Sequence, residues 1–296
     1  MQEGIEDVLG GGVVETRSEA GGFSPGTADR VRTDRGRRGF VKACSPDQNP
    51  DSPDLLRREG DHLEVLGRSP RVPQLIGRYD DGHWIAVVLE EVDGHCPPTP
   101  WSSVHVEQAM VTLGALADDL TPNPLTGLEP VPVALRSLFD GWRRLQQDPG
   151  PRLDPWLAGR LDELAALAEH TLDRLHGETV VHADIRADNL LVRPDGSMVV
   201  VDWPWAMVGP DWLDRALLMI NIDLYGGHDV EVLVRRHLGH VDPQLITGSL
   251  TGMCAFFVDS ARQPDVPGLP TLRAFQHAQG VSTTAWLRRR LDGQGG

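Results

Sequence analysis

Three polar side chains that could carry out chemistry lie close together in the segment 180–203. It contains Asp184, then Asn189 five residues later, and Asp202 after twelve intervening residues. The apolar runs around them predict a strand, an acidic loop and a hairpin that turns at 194–196. Carboxylate and amide oxygens are ligands that Mg²⁺ prefers, and an aspartate can orient a hydroxyl group and accept its proton. The alternative is that each is an ordinary turn residue, because Asp and Asn often bond to nearby backbone.

The order of these residues resembles the catalytic stretch of kinases. With His182 the pattern reads H-x-D-x4-N, and Asp202-Trp203 stands where protein kinases have D-F-G. The segment therefore looks like the aminoglycoside-phosphotransferase branch of the kinase-like superfamily. That resemblance implies an α+β, two-lobed protein-kinase-like fold, with a small antiparallel-sheet N-lobe and a larger, mainly helical C-lobe. It also implies that Asp184 acts as the base or orients the acceptor, that Asn189 and Asp202 bind metal, and that His182 holds the loop.

A lysine on a predicted strand and a glutamate on a predicted helix form a second candidate group. Lys42 lies in a largely apolar run at 40–43, and the helix expected over 54–67 places Glu59 on the same face as three leucines. An unpaired buried charge is unfavourable, so Glu59 needs a partner, and Lys42 is the obvious one. In the resembled family this pair holds the α- and β-phosphates of the nucleotide. The alternative is that Glu59 lies at the edge of the apolar face, in water.

A glycine-rich turn joins two predicted strands, 13–18 and 28–33. Gly21, Gly22 and Ser24 lie in this turn, where a backbone without side chains can approach phosphate oxygens closely. Such turns are also common in ordinary hairpins. The chain has no G-x4-G-K-[ST] motif, so the turn is not a P-loop.

A nearly continuous apolar strand at 84–89 leads to the expected hinge. The backbone of Glu91 and Val92, just after it, could receive adenine by main-chain hydrogen bonds. This point also divides the chain into a nucleotide-binding lobe, 1–92, and a catalytic and substrate-binding lobe, 93–296.

Beyond the hinge, apolar periodicity predicts a helical C-lobe. The expected helices span 104–120, 133–147, 154–175, 216–224, 230–238, 243–258 and 271–291. The resemblance implies that the C-terminal helices supply the acceptor pocket, where acidic side chains often bind amines. Asp223, Asp229 and Asp259 are available for this, although no spacing singles one out. Three tryptophans, at 203, 205 and 212, either belong to the core or line an apolar wall of the site.

Several residues near the central stretch have open roles. Ala183 replaces the usual family glycine, and Arg186 could contact the γ-phosphate or simply bind Asp188. Asp188 itself is either a second charge at the site or a solvated loop residue. Asp214 is expected to brace the catalytic loop through its backbone or to act as a first-turn acid of a helix.

Composition limits the class of partner and the compartment. The chain has 296 residues and a net charge of −15, from 28 basic and 43 acidic residues, which argues against nucleic acid or an anionic membrane. It suits a cationic small substrate, although general solubility explains it equally well. Three cysteines with no paired spacing, no basic-apolar leader and no membrane-length apolar run lead us to expect a cytoplasmic protein.

The leading hypothesis is a phosphotransferase that uses Mg²⁺ and ATP, or alternatively GTP. It would phosphorylate a hydroxyl of a small molecule such as an aminoglycoside-like antibiotic, a sugar or an amino alcohol. One alternative is a nucleotide-binding scaffold of the same fold without transferase activity. Another is a protein kinase, which is disfavoured because D-F-G and a recognisable activation segment between Asp202 and Gly209 are missing.

Overall fold

The computed structural model describes residues 1–19 and 26–293 and shows an α+β protein with a five-stranded sheet in its N-terminal part. Helix α1 precedes the sheet, and helix α2 is inserted between the third and fourth strands. Their bounds are α1 Gln2–Leu9, β1 Val13–Ser18, β2 Thr27–Thr33, β3 Arg38–Cys44, α2 Ser52–Leu66, β4 Leu75–Asp80 and β5 Ile85–Leu89. All neighbouring strands pair antiparallel in the order β1-β2-β3-β5-β4, which confirms the predicted small antiparallel-sheet lobe.

The two faces of this sheet pack against different helices. Residues on one face, such as Val41 and Val88, pack with Ile5 and Leu9 of α1. Successive side chains of a strand point to opposite faces, so Lys42 projects from the other face. Helix α2 lies on that second face, and this placement brings its glutamate towards the lysine.

The rest of the chain is mainly helical, with two short strand pairs between its sixth and seventh helices. The helices and strands are α3 Ser103–Asp119, α4 Val131–Ala134, α5 Arg136–Phe139, α6 Gly141–Gln147, α7 Pro155–Ala158, α8 Leu161–Leu172, β6 Thr179–Val181, β7 Leu190–Val192, β8 Met198–Val200, β9 Met207–Gly209, α9 Leu213–Tyr225, α10 Val230–Leu238, α11 Pro243–Ser260 and α12 Leu272–Asp292. Strand β6 pairs with β9 and β7 pairs with β8, both antiparallel. Helix α11 packs between α8 and α12.

The largest departures from the sequence expectation lie between the hinge and β6. The helix expected over 133–147 is three short helices, because the chain turns at Leu135 and Asp140, where ψ is near 0°. At the start of α6, a Cβ on Gly141 would come within 2.7 Å of the Ala255 carbonyl oxygen, so α6 lies against α11 too closely for a larger residue. The helix expected over 154–175 is likewise interrupted, near Arg160, where φ is −133°.

The two short strand pairs position the loops that carry the candidate catalytic residues. The loop 182–189 connects β6 to β7, and Asp202 follows β8. The Val201 N–H donates to the Asn189 carbonyl at 3.0 Å, so the β7–β8 hairpin brings Asn189 beside the Asp202 segment. Strand β9 was not predicted, since three residues that pair with a strand 28 positions earlier leave no local periodic signal.

Two further features bear on the sequence expectations. The three cysteines are free thiols, with Cys44 and Cys254 buried and Cys96 exposed. Among residues 1–19 and 26–293, no helix combines the length and apolar character needed to cross a membrane.

Candidate active site

Lys42 lies at the centre of a cluster of charges between the sheet, α2 and the segment after β8. Its Nζ is 2.7 and 3.0 Å from the two carboxylate oxygens of Glu59 and 2.7 Å from Asp202 Oδ1. The Glu59 side chain is only 3% exposed, so the ion pair expected from the apolar helix face is present. Burial alone would lower the pKa of Lys42, but the charges of Asp202 and Glu59 raise it above its ordinary value. The ammonium group is therefore charged at neutral pH.

The two carboxyl groups of this cluster respond differently to their surroundings. Burial raises the pKa of Glu59, although Lys42 acts in the opposite direction. Burial would also raise the pKa of Asp202, but the charge and hydrogen bond of Lys42 hold it below its usual value. Asp202 therefore stays ionised, as a metal ligand must be.

His182 supports the loop 182–189 as a neutral imidazole. Its Nε2 donates to the Val201 carbonyl at 3.0 Å, while its Nδ1 accepts the backbone N–H of Asp184 at 3.2 Å. These two roles require the tautomer with hydrogen on Nε2. Burial lowers the pKa of His182 to about 4, which keeps the ring neutral.

Asp214 in the first turn of α9 braces the same loop from the other side. Its two carboxylate oxygens accept the backbone N–H groups of His182 and Ala183, at 2.8 and 2.9 Å. The predicted brace is thus confirmed. Burial raises the pKa of Asp214 to about 6, against the effect of the two N–H donors. Ala183 has a φ of 68°, a left-handed conformation that glycine adopts with less strain.

Arg186 contacts both aspartates of the loop. Its Nη1 donates to Asp184 Oδ1 and Oδ2, at 2.7 and 2.8 Å, while its Nε and Nη2 bind the two oxygens of Asp188, at 3.0 Å each. Sequence reasoning anticipated the Asp188 contact but missed the one to Asp184. Burial raises the pKa of Asp184 to about 7, although the charge of Arg186 lowers it. The carboxyl group of Asp184 can therefore take up and release a proton near neutral pH.

Asn189 presents an oxygen suited to a hard cation. Its Nδ2 donates to the Asp184 carbonyl at 2.8 Å and to Asp184 Oδ2 at 3.2 Å, which leaves its Oδ1 for a ligand. In the described part of the chain no three His, Cys, Asp or Glu side chains converge as a metal-binding group. One carboxylate from Asp202 and one amide oxygen fit Mg²⁺, which usually keeps several waters and binds phosphate oxygens besides.

The expected hinge is tied to the sheet by two arginines. Glu91 accepts hydrogen bonds from Nε and Nη2 of Arg38, at 2.6 Å each, and from Arg30 Nη1 at 3.1 Å. The same Arg30 Nη1 donates to the Val92 carbonyl at 3.2 Å. The Glu91 side chain therefore has a structural partner, and only the main chain of the hinge is left for a base. The candidate phosphate-binding residues 21, 22 and 24 lie outside the described residues.

The acidic side chains considered for the acceptor pocket are all engaged within the protein. Asp223 accepts from Ser282 Oγ at 2.6 Å and Arg289 Nη2 at 2.8 Å. Asp229 caps α10, and Asp259 binds Arg144 and Arg262 at 5% exposure.

The three tryptophans considered for an apolar wall of the site differ in exposure. Trp203 and Trp212 are buried, at 0% and 7% exposure, whereas Trp205 is 46% exposed. The Arg186 guanidinium lies 5.8 Å from the centre of the Phe275 ring. Trp203 and Trp212 therefore belong to the core, and Trp205 remains as a wall candidate.

Comparison with known proteins identifies the family. The profile of the phosphotransferase enzyme family matches residues 20–240. The chain belongs to this family. It is therefore a phosphotransferase, and the resemblance noted in the central stretch is confirmed. No curated protein matches the sequence at a significant level.

Solved structures show the same two-lobed kinase-like fold at low sequence identity. An aminoglycoside phosphotransferase from Alicyclobacillus acidocaldarius is 19% identical, with a TM-score of 0.57 over 94% of this chain and 92% of that chain. A choline kinase from Streptococcus pneumoniae is 14% identical, with a TM-score of 0.62 over 96% and 97%. A spectinomycin phosphotransferase, solved with ADP and spectinomycin, is 14% identical, with a TM-score of 0.61 over 98% of both chains.

Proposed function

We propose that this phosphotransferase uses Mg²⁺ and ATP to phosphorylate a hydroxyl group of a small molecule. The observation that carries the proposal is the convergence of two connected groups: Glu59–Lys42–Asp202 on the nucleotide side and Asn189–Asp184–Arg186 on the acceptor side. Phosphoryl transfer requires an aligned acceptor and neutralised phosphate charge more than covalent chemistry. Together the two groups supply Asp184 as the base, the oxygens of Asp202 and Asn189 for a cation, and the positive charges of Lys42 and Arg186.

The proposed roles follow from the contacts. Lys42, held by Glu59, would bind phosphate oxygens, and Asn189 and Asp202 would hold the metal, which would supply positive charge to neutralise the phosphates. Asp184 accepts the hydrogen bond of the acceptor hydroxyl and takes its proton as the new O–P bond forms and the bond between the γ-phosphorus and the departing ADP oxygen breaks. Its pKa of about 7 suits a group that must receive a proton and then release it.

We also propose the division into a nucleotide lobe, 1–92, and a catalytic and acceptor lobe, 93–296. The base would bind the main chain near Glu91 and Val92, with the glycine-rich turn above the phosphates. ATP is favoured over GTP because related structures were solved with ADP or AMP-PNP. The unpaired thiols support a location in the cytoplasm.

The acceptor class is proposed from the fold relatives and the charge of the chain. Similar structures are described as kinases or phosphotransferases of aminoglycosides, choline and ethanolamine. The net charge of −15 suits a cationic acceptor by long-range attraction. An aminoglycoside-like antibiotic, a sugar or an amino alcohol is therefore the set to test.

The test measures acceptor-dependent ADP release from Mg-ATP across these compound classes. We expect Asp184→Asn to lower kcat by about 10²- to 10⁴-fold for the active acceptor, as loss of a general base usually does. Asp195→Asn is the matched control, because Asp195 only bonds Ser197 in the exposed hairpin turn. Full turnover by Asp184→Asn would refute the mechanism. Tight Mg-ATP binding with no acceptor-dependent release would instead support a nucleotide-binding scaffold.

A further inference from the structure

A buried histidine of α2 contacts the backbone beside the proposed metal ligand. His62 lies three residues after Glu59, on the same side of the helix, and is 6% exposed. Its Nδ1 is 2.7 Å from the carbonyl oxygen of Trp203, 141 positions away in the chain. A carbonyl oxygen can only accept, so Nδ1 carries the hydrogen and donates it.

The contacted carbonyl matters because it belongs to the residue after Asp202, and Asp202 has an unfavourable backbone conformation. Its φ is 72°, in the left-handed region that a residue other than glycine keeps only when its surroundings hold it there. On one side of Asp202, the Val201 carbonyl accepts from His182 Nε2 at 3.0 Å. On the other side, the Trp203 carbonyl accepts from His62. The backbone on each side of Asp202 is thus held by an imidazole, one from each lobe.

The helix of His62 also reaches the Asp202 side chain through the lysine. Glu59 binds Lys42, which binds Asp202 Oδ1, but this contact fixes one carboxylate oxygen and does not reach the backbone. The N–H of Trp203 is 3.4 Å from Glu59 Oε1, a long and therefore weak hydrogen bond. His62 makes the short contact from α2 to the backbone of this segment.

We propose that His62 is a positioning residue that fixes the orientation of the Asp202 carboxylate for the divalent cation of the metal nucleotide. The inference rests on the proposed role of Asp202 as a metal ligand. His62 does not touch the cation. It acts through the Trp203 carbonyl, as groups behind metal ligands commonly do.

Two nearly isosteric variants separate the hydrogen bond from packing. His62→Leu removes the donor, whereas His62→Asn places an amide nitrogen near the position of Nδ1. Titration calorimetry with ADP, in excess Mg²⁺ and in EDTA, gives the factor by which magnesium strengthens binding to each protein. We expect His62→Leu to lower the factor by which magnesium strengthens ADP binding by about tenfold, in the range typical for partners of metal ligands. Affinity in EDTA should be unchanged, and His62→Asn should recover most of the loss.

Each other outcome overturns the proposal in an identifiable way. A wild-type magnesium factor in His62→Leu, an equal loss with and without magnesium, or no recovery in His62→Asn would leave His62 with a packing role only. If the wild type binds ADP with no magnesium effect, the metal assignment in the proposed function fails and this inference fails with it.

If His62→Leu does not fold, His62→Phe replaces it, since phenylalanine keeps a ring and lacks the donor.

Discussion

Replacing Lys42 by methionine tests the ion cluster without requiring knowledge of the acceptor. The Lys42 Nζ lies within 3.0 Å of both Glu59 oxygens and 2.7 Å from Asp202. Methionine keeps much of the apolar stem but leaves Glu59, at 3% exposure, with only a long contact to the Trp203 N–H at 3.4 Å. Removal of one partner of a buried pair destabilises by about 3–5 kcal/mol. Since Lys42 is 20% and Asp202 24% exposed, we expect the lower end, about 3 kcal/mol.

A double-mutant cycle isolates the part of this loss that comes from the stranded charge. Glu59→Gln alone should destabilise by about 1–2 kcal/mol, because Lys42 keeps Asp202 as a partner. In the variant with both substitutions, no buried charge remains at position 59. The combined loss should therefore be smaller than the sum of the single losses by at least about 1 kcal/mol. Urea unfolding, followed by two probes with matching transitions, measures all four proteins.

The pH dependence of the Lys42→Met loss has a definite sign. Burial raises the folded-state pKa of Glu59. Without the lysine, the effect that still lowers this pKa is the long hydrogen bond from the Trp203 N–H. A carboxyl group with a raised folded pKa favours the folded state below its unfolded pKa and loses that contribution as the pH rises through the folded pKa. The deficit relative to the wild type should thus be smaller at about pH 5 than at about pH 8. Additive single losses, or a deficit independent of pH, would refute the reasoning.

Three further predictions concern the catalytic loop. Ala183→Gly should raise the free energy of unfolding by about 0.5–1 kcal/mol, since φ is 68° there; urea unfolding measures this, and a loss of stability would contradict it. Arg186→Ala removes a charge that lowers the pKa of Asp184. The acidic limb of the plot of kcat/KM against pH should therefore move to higher pH by roughly one unit. An unchanged acidic limb would count against Asp184 as the base. Asp214→Asn should lower the free energy of unfolding by about 1–2 kcal/mol and lower kcat, because the amide oxygen replaces two carboxylate oxygens that each accept one backbone N–H. Wild-type stability together with wild-type kcat would contradict the role of Asp214 in holding the loop.

The parts of the site that could be predicted are those fixed by short-range spacing. Asp184, Asn189 and Asp202 lie on one loop and one hairpin, so their order along the chain nearly determines their proximity. Glu59 was placed by helical periodicity, and its burial required a cationic partner. Lys42, on a predicted strand, was the obvious partner, and the resemblance to kinases pairs a strand lysine with this helical glutamate.

The parts that could not be predicted depend on contacts between distant segments. His62 shares a helix face with Glu59, so helical periodicity could have predicted that it is buried. Its partner, however, is a backbone carbonyl 141 residues away. Every residue has such a carbonyl, so the sequence does not identify this one. Arg186 has two acidic neighbours within two residues on either side, and only the loop conformation shows that it binds both. The close packing of Gly141 against α11 likewise joins distant segments, and local helix propensity carries no information about it.

The charge balance of the site predicts that the proposed nucleotide binds as its magnesium complex. Four carboxyl groups and two cationic side chains meet here: Glu59, Asp184, Asp188, Asp202, Lys42 and Arg186. Both cations are already paired with these carboxylates, so a free nucleotide would meet an excess of negative charge, and the chain as a whole carries −15. A divalent cation bound to the phosphates reverses the sign of the interaction with Asp202, which the contacts of Lys42 keep ionised. Magnesium should therefore strengthen nucleotide binding directly, because Asp202, one of the carboxylates that repel the free nucleotide, is the proposed ligand of the metal in its complex.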